Sequence, residues 1–224
     1  MTFYDRLVAE VANEREIFLA LPIIQAGIQG ELSKETYIGY LSEAFHHVKH
    51  TVPLAEIVRS QLSSDHKALQ DGLSDFILAK KGNEKWILQD IKHAGGDVDK
   101  VLAAEPATAT EELLAYAYDY VRRISPIGFF GMIFVIEGTG SALATQTVDK
   151  LMRSLDLPPR CFSYLLSHGS LDLADMDFFK VLVAQITDRT EQDAIISMSK
   201  QMFGLYGKVF ESIALKSGFG GTAT

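Results

Sequence analysis

Apolar residues recur along nearly the whole chain at spacings of three and four, which places them on one face of an α-helix. No segment alternates convincingly between apolar and polar residues with the two-residue period of a half-buried strand, and no helical pattern repeats at a fixed interval. The pattern therefore predicts an all-α fold with about seven or eight helices. We expect a single helical domain over residues 1–216, followed by a flexible tail at 217–224.

One helical pattern, from about residue 33 to 63, carries three of the six histidines of the chain. Each residue of a helix is rotated by about 100° from the one before it, so His50, His47 and His46 lie about 20°, 40° and 60° from Glu43. One carboxylate and at least two imidazoles can therefore point the same way. Such a group can bind a metal ion, and a solvated or hydrogen-bonded polar face explains the same spacing.

Pro53 lies on the same helical pattern, close to the histidines. A proline inside a helix lacks a backbone donor and crowds the carbonyl group four residues earlier, which here belongs to Lys49. The pattern therefore predicts a kink or a loosened turn beside the histidine cluster.

Glu137 is the one charged residue between positions 124 and 148. A carboxylate near the middle of this apolar stretch, together with several polar residues, argues against a membrane-spanning helix and favours a helix in the protein core. Because an ionised carboxylate buried alone is costly, Glu137 should be neutralised by protonation, by an ion pair or by a metal ion.

A third polar group lies in the C-terminal third of the chain. His168, Asp172 and Asp175 are spaced by four and three residues, so on a helix they form a stripe about 60° wide. The dipole at a helix N-terminus also favours acids, which is the alternative explanation for the two aspartates. Together with the first two groups, these residues give three helices that each offer inward-facing acids or imidazoles.

The composition narrows the class of protein. The net charge of −8 and the lack of any basic run longer than two residues argue against a nucleic-acid partner. A single cysteine, Cys161, excludes an internal disulfide and is interpreted as a buried structural thiol. The N-terminus has no secretory signal pattern, so we expect a cytoplasmic protein. The apolar content of 47% leaves room for a homodimer interface.

The candidate ligands are carboxylates and imidazoles without thiolates, a set that favours iron or manganese over zinc. A ferritin-like dinuclear site would need two Glu-x-x-His motifs. Glu43 and His46 can form one of them, but Gly140 stands three residues after Glu137. A ferritin-like fold is therefore disfavoured.

The order of these groups resembles the haem-oxygenase-like diiron oxidase and oxygenase family of iron-containing redox enzymes, related in fold to the TENA/thiaminase II and PQQ-synthesis proteins. The resemblance covers roughly residues 1 to 215 and includes the segment 82–90, which is similar to the family's Gly-His-Glu stretch. It implies a haem-oxygenase-like bundle. It also implies metal ligands at Glu43, His50, Glu137, His168, Asp172 and Asp175.

Asp175 departs from the family pattern, in which histidine is usual at this position. An aspartate at this position would alter the binding of the second metal ion. His46 or His47 is the candidate to supply the missing imidazole. The resemblance implies one or two irons, or manganese in their place.

The activity that the resemblance implies is the oxidation of a small organic substrate by dioxygen at non-haem iron. Tyr40, three residues before Glu43, is the candidate for a hydrogen bond to a metal ligand. A metal-free TENA-like hydrolase or cofactor-binding enzyme stays open as an alternative. A non-catalytic helical protein that binds a ligand also stays open, and it is favoured if the acids are paired with lysine or arginine.

Overall fold

The computed structural model describes the backbone of residues 2–219, and the side chains of that range except those of 145 and 168–176. Twelve α-helices make up most of this part of the chain, which contains no strand. In order, they are α1 (Phe3–Glu10), α2 (Ala12–Leu19), α3 (Pro22–Gln29), α4 (Lys34–Val48), α5 (Thr51–Gln61), α6 (Lys67–Lys80), α7 (Asn83–His93), α8 (Val98–Ala103), α9 (Thr108–Arg123), α10 (Phe129–Ser154), α11 (Ser163–Val183) and α12 (Arg189–Lys216). The predicted all-α fold is confirmed. The end of the predicted tail, from residue 220 onward, lies outside the residues described.

The helices outnumber the seven or eight predicted because some are very short and two long patterns are divided. Val11 separates α1 from α2, and Lys49 and His50 separate α4 from α5. Pro53 accounts for the second break, because its nitrogen cannot donate a hydrogen bond to the carbonyl group of Lys49. The predicted kink or loosened turn is an interruption of the helix at Lys49 and His50, shortly before the proline.

Helix α10 forms the centre of the bundle and packs against α3, α9, α11 and α12. Its first two turns, including Phe129, Phe130 and Val135, are buried. The stretch Pro126–Ala144 is long and apolar enough to cross a membrane, but 61% of its most apolar window is buried inside the protein. This burial is what the sequence predicted for a core helix.

Asp90 of α7 fixes the start of α11. Its fully buried carboxylate accepts hydrogen bonds from the backbone N–H groups of Ser163, at 3.0 Å, and Tyr164, at 2.8 Å, and from the Ser163 hydroxyl. The first amides of a helix have no partner within the helix, so a carboxylate placed there stabilises its N-terminus. Tyr37 of α4 donates from its hydroxyl to the carbonyl oxygen of Cys161, 2.7 Å away. These contacts fasten the start of α11 to α7 and the turn before it to α4.

Gly131 lets α10 approach α12 closely. A Cβ at this position would overlap the carbonyl oxygen of Ile195 and lie 2.8 Å from Ser199 Oγ, both on α12. Because a backbone carbonyl cannot move aside without separating the helices, Gly131→Ala is expected to lower the free energy of unfolding by about 1–3 kcal/mol. Urea denaturation followed by circular dichroism measures the change.

Gly140 gives the matched control on the same helix, since a Cβ there meets nothing within 4 Å. Gly140→Ala is expected to be neutral or to stabilise the protein by up to about 1 kcal/mol, because alanine is the better helix former. Equal losses for the two variants would contradict the close packing of α10 on α12.

Candidate functional site

A cavity of about 250 Å³, called the chamber below, lies between α6, α10 and α11. Its wall is mainly apolar and aromatic, and three charged side chains also line it. The lining residues are Gly72, Leu73, Asp75, Phe76, Ala79 and Lys80 of α6, Phe130, Ile133 and Glu137 of α10, and Phe178, Phe179 and Leu182 of α11. A mostly apolar cavity with a few convergent polar groups is typical of a site for a small organic molecule.

Glu137 and Lys80 form an ion pair in the wall of the chamber. The ammonium group of Lys80 donates a hydrogen bond to Glu137 Oε2 over 2.8 Å, and the two side chains are only 9% and 13% exposed. The same ammonium lies 5.7 Å from the centroid of the Phe76 ring, within the range of a cation–π interaction. Of the three ways in which the sequence allowed Glu137 to be neutralised, the structure shows the ion pair.

Lys80 was missed by the sequence analysis, although a signal for it exists. Leu69, Leu73, Phe76 and Lys80 follow one another at spacings of four, three and four, so the lysine takes the next position of the apolar stripe of α6. A charged residue in such a position needs a buried partner. The partner itself could not be identified from the pattern.

Glu137 is also close enough to two tyrosines to influence their ionisation. Burial raises the pKa of Tyr40 on α4 and of Tyr206 on α12. The charge of Asp90 and then that of Glu137 add to the increase in pKa at Tyr40, and the charge of Glu137 also adds to that at Tyr206. The Tyr40 ring stacks on Phe210 with 5.8 Å between centroids, and His47 packs edge to face on Tyr206 at 5.7 Å. The structure therefore brings Tyr40, His47 and Glu137, three of the predicted site residues, to the middle of the bundle.

Glu43 does not line the chamber. It holds the segment that begins α9, because its carboxylate accepts hydrogen bonds from Ala107 N–H, at 3.1 Å, and from Thr110 Oγ1, at 2.6 Å. The ammonium group of Lys216 on α12 lies 3.1 Å from the same carboxylate. Burial acts to raise the pKa of Glu43, but the hydrogen bonds from Thr110, Ala107 and Lys216 outweigh it, so this pKa lies below its usual value.

His50 also faces α9, farther along that helix. Its Nδ1 atom lies 3.0 Å from the Tyr118 hydroxyl, and Tyr118 is eight residues beyond Thr110, or about 12 Å along the helix axis. Glu43 and His50 thus share a direction, as the helical rotation predicted, yet contact different parts of α9. His46 lines a surface groove with Glu43 between α4, α8 and α12, and burial lowers its pKa.

His168, Asp172 and Asp175 belong to α11, which packs against α10, but their side chains lie outside the described part of the structure. Among the side chains that are described, no three His, Cys, Asp or Glu groups come close enough to hold a metal ion together. Both described carboxylates of the predicted set are paired with lysines. The described donors by themselves therefore do not fit an iron site, and ligation by the predicted set stays a prediction.

Comparison with known families matches most of the chain to one family. A model of the family described as iron-containing redox enzyme matches residues 38–207, which is more than half of the sequence. Among curated proteins, none matches the chain at a significant level.

Solved structures agree with the predicted haem-oxygenase-like fold. A domain of unknown function with a heme oxygenase-like fold from Shewanella denitrificans superposes with a TM-score of 0.85 at 20% identity, covering 99% of this chain and 96% of that one. A TenA homologue from Pseudomonas syringae gives a TM-score of 0.80 at 9% identity, with coverages of 95% and 93%. The heme oxygenase of Leptospira interrogans gives 0.77 at 15% identity, with coverages of 95% and 100%. These identities show a common fold.

Proposed function

Because this chain belongs to the iron-containing redox enzyme family, we propose that it oxidises a small, mainly apolar organic molecule with iron as the metal and dioxygen as the oxidant. The observation that carries the proposal is the chamber, which adjoins the core helix α10 and has Glu137 in its wall. Family membership supports the iron, and the chamber supports the class of substrate.

The chamber selects its ligand by shape and by polarity. Phe76, Phe130 and Phe179 offer aromatic surface, and burying apolar area against them is favourable by roughly 25 cal/mol per Å². Lys80 and Glu137 are the polar groups that such a ligand meets at the α6–α10 side. A ligand with an apolar body and one hydroxyl or carbonyl group is the best match, because the ion pair offers it both a donor and an acceptor.

The proposal includes the metal ligands that the sequence predicts. Glu137 lies on α10, and His168, Asp172 and Asp175 lie on α11, which packs against it. Bound iron would supply the chemistry that reduces dioxygen. The chain's own contribution is to hold the organic molecule in a chamber from which its apolar wall excludes water.

Metal content is the first test of this function. The protein, expressed with added iron and purified without chelator or histidine tag, is expected to contain one or two irons per chain by elemental analysis, and to lose most of this iron in the variant Glu137→Gln. Glu56→Gln is the control, since Glu56 is exposed on α5. Wild-type protein that stays free of iron after anaerobic ferrous reconstitution would overturn the proposal.

A metal-free protein that binds the same class of molecule is the second candidate. The observation that favours it is the pairing of both described carboxylates of the predicted set, Glu43 and Glu137, with lysines. Conversion or binding of an apolar ligand that continues unchanged after exhaustive chelation would support this candidate over the iron enzyme.

A further inference from the structure

We infer that the ammonium group of Lys80 competes with divalent cations for the Glu137 carboxylate and so weakens metal binding there. The inference rests on the proposed function, because it states which group of the chain a metal ion competes with at this carboxylate. Lys80 is not one of the metal ligands that the sequence predicts.

The ammonium and a metal ion bound to this carboxylate would lie close enough to repel each other. Lys80 Nζ lies 2.8 Å from Glu137 Oε2. A divalent cation bound to that oxygen, at the usual distance of about 2.1 Å, would lie within about 5 Å of the ammonium. Two positive charges this close repel strongly where little water screens them. The Lys80 ammonium therefore weakens the binding of a metal ion to Oε2.

The surroundings of Lys80 hold the ammonium in place. Its side chain is only 9% exposed, and the ammonium lies against the Phe76 ring as well as the Glu137 carboxylate. Leaving this position would break the ion pair and the cation–π contact together. The lysine therefore competes continuously with any cation in solution.

The variant Lys80→Gln tests the inference directly, because it removes the positive charge and keeps a polar side chain. Isothermal titration calorimetry of the full chain with Mn²⁺ alone measures the dissociation constant. We expect it to be at least about tenfold lower in this variant than in the wild type. Lys81→Gln is the matched control, since Lys81 is the exposed neighbour of Lys80. It is expected to bind Mn²⁺ as the wild type does, and the double variant Lys80→Gln/Glu137→Gln is expected to lose the gain.

Equal Mn²⁺ affinity of Lys80→Gln and the wild type would overturn the inference. Lys80→Met gives the same comparison if the glutamine variant does not fold, because methionine keeps the apolar stem beside Phe76, and the same gain is expected. The iron content of the wild-type protein tests the proposed function separately. Iron in the wild type without a gain in Lys80→Gln contradicts only the inference, and a gain in Lys80→Gln without iron in the wild type contradicts only the proposed function.

Discussion

Replacing Glu137 with leucine is expected to lower the free energy of unfolding by about 2–4 kcal/mol. In this variant Lys80 stays in the chamber wall with its side chain 9% exposed and loses the carboxylate that lies 2.8 Å away. Removing one partner of a buried ion pair is costly because the remaining charge stays desolvated without that counter-charge. Urea denaturation at neutral pH measures the loss.

Two further variants separate this explanation from a general intolerance of substitution. The double variant Glu137→Leu/Lys80→Met is expected to regain most of the stability, because apolar side chains of similar size replace both charges. Asp119→Asn breaks the pair between Asp119 and Arg123, whose side chains are 48% and 71% exposed. An exposed pair contributes less than about 1 kcal/mol. A loss in Glu137→Leu no larger than in Asp119→Asn would contradict the role of the buried pair.

The sequence predicted the helical fold from local periodicity, and it predicted the burial of α10 from the near absence of charged residues between positions 124 and 148. It also predicted that Glu137 needs a neutralising partner. It could not predict that the partner is Lys80, which is 57 residues away in the chain. The position of Lys80 on the apolar stripe of α6 shows that this residue is buried, but which helix faces that stripe depends on how the whole bundle packs.

The histidine cluster shows the same limit at shorter range. Helical rotation correctly predicted that Glu43 and His50 point in similar directions, toward what proves to be α9. It could not show that α9 supplies Thr110 to one and Tyr118 to the other, about 12 Å apart along the helix axis. Two side chains that point the same way from one helix form a common site only if the neighbouring helix leaves space for a ligand between them.

Glu43→Ala is expected to produce the second large loss of stability, about 2–4 kcal/mol at neutral pH. The buried N–H group of Ala107 and the hydroxyl group of Thr110 would each lose their acceptor, and an unsatisfied buried donor costs about 1–3 kcal/mol. Lys216 adds little to this loss because its side chain is 60% exposed. The expected cost therefore comes from the hydrogen bonds that hold the start of α9.

The effect of Glu43 should also depend on pH. Its pKa in the folded protein lies below the ordinary value of 4.5, so the ionised carboxylate contributes stability that is fully present above pH 4.5 and is lost as the pH falls through the lower, folded-state pKa. The difference in urea midpoint between the wild type and Glu43→Ala should therefore be constant from pH 7 to about pH 5 and narrow below pH 4.5. Glu56→Ala, at an exposed position of α5, is the control and should follow the wild type throughout. A difference that stays constant as the pH falls below 4.5 would show that the charge of Glu43 does not contribute to stability.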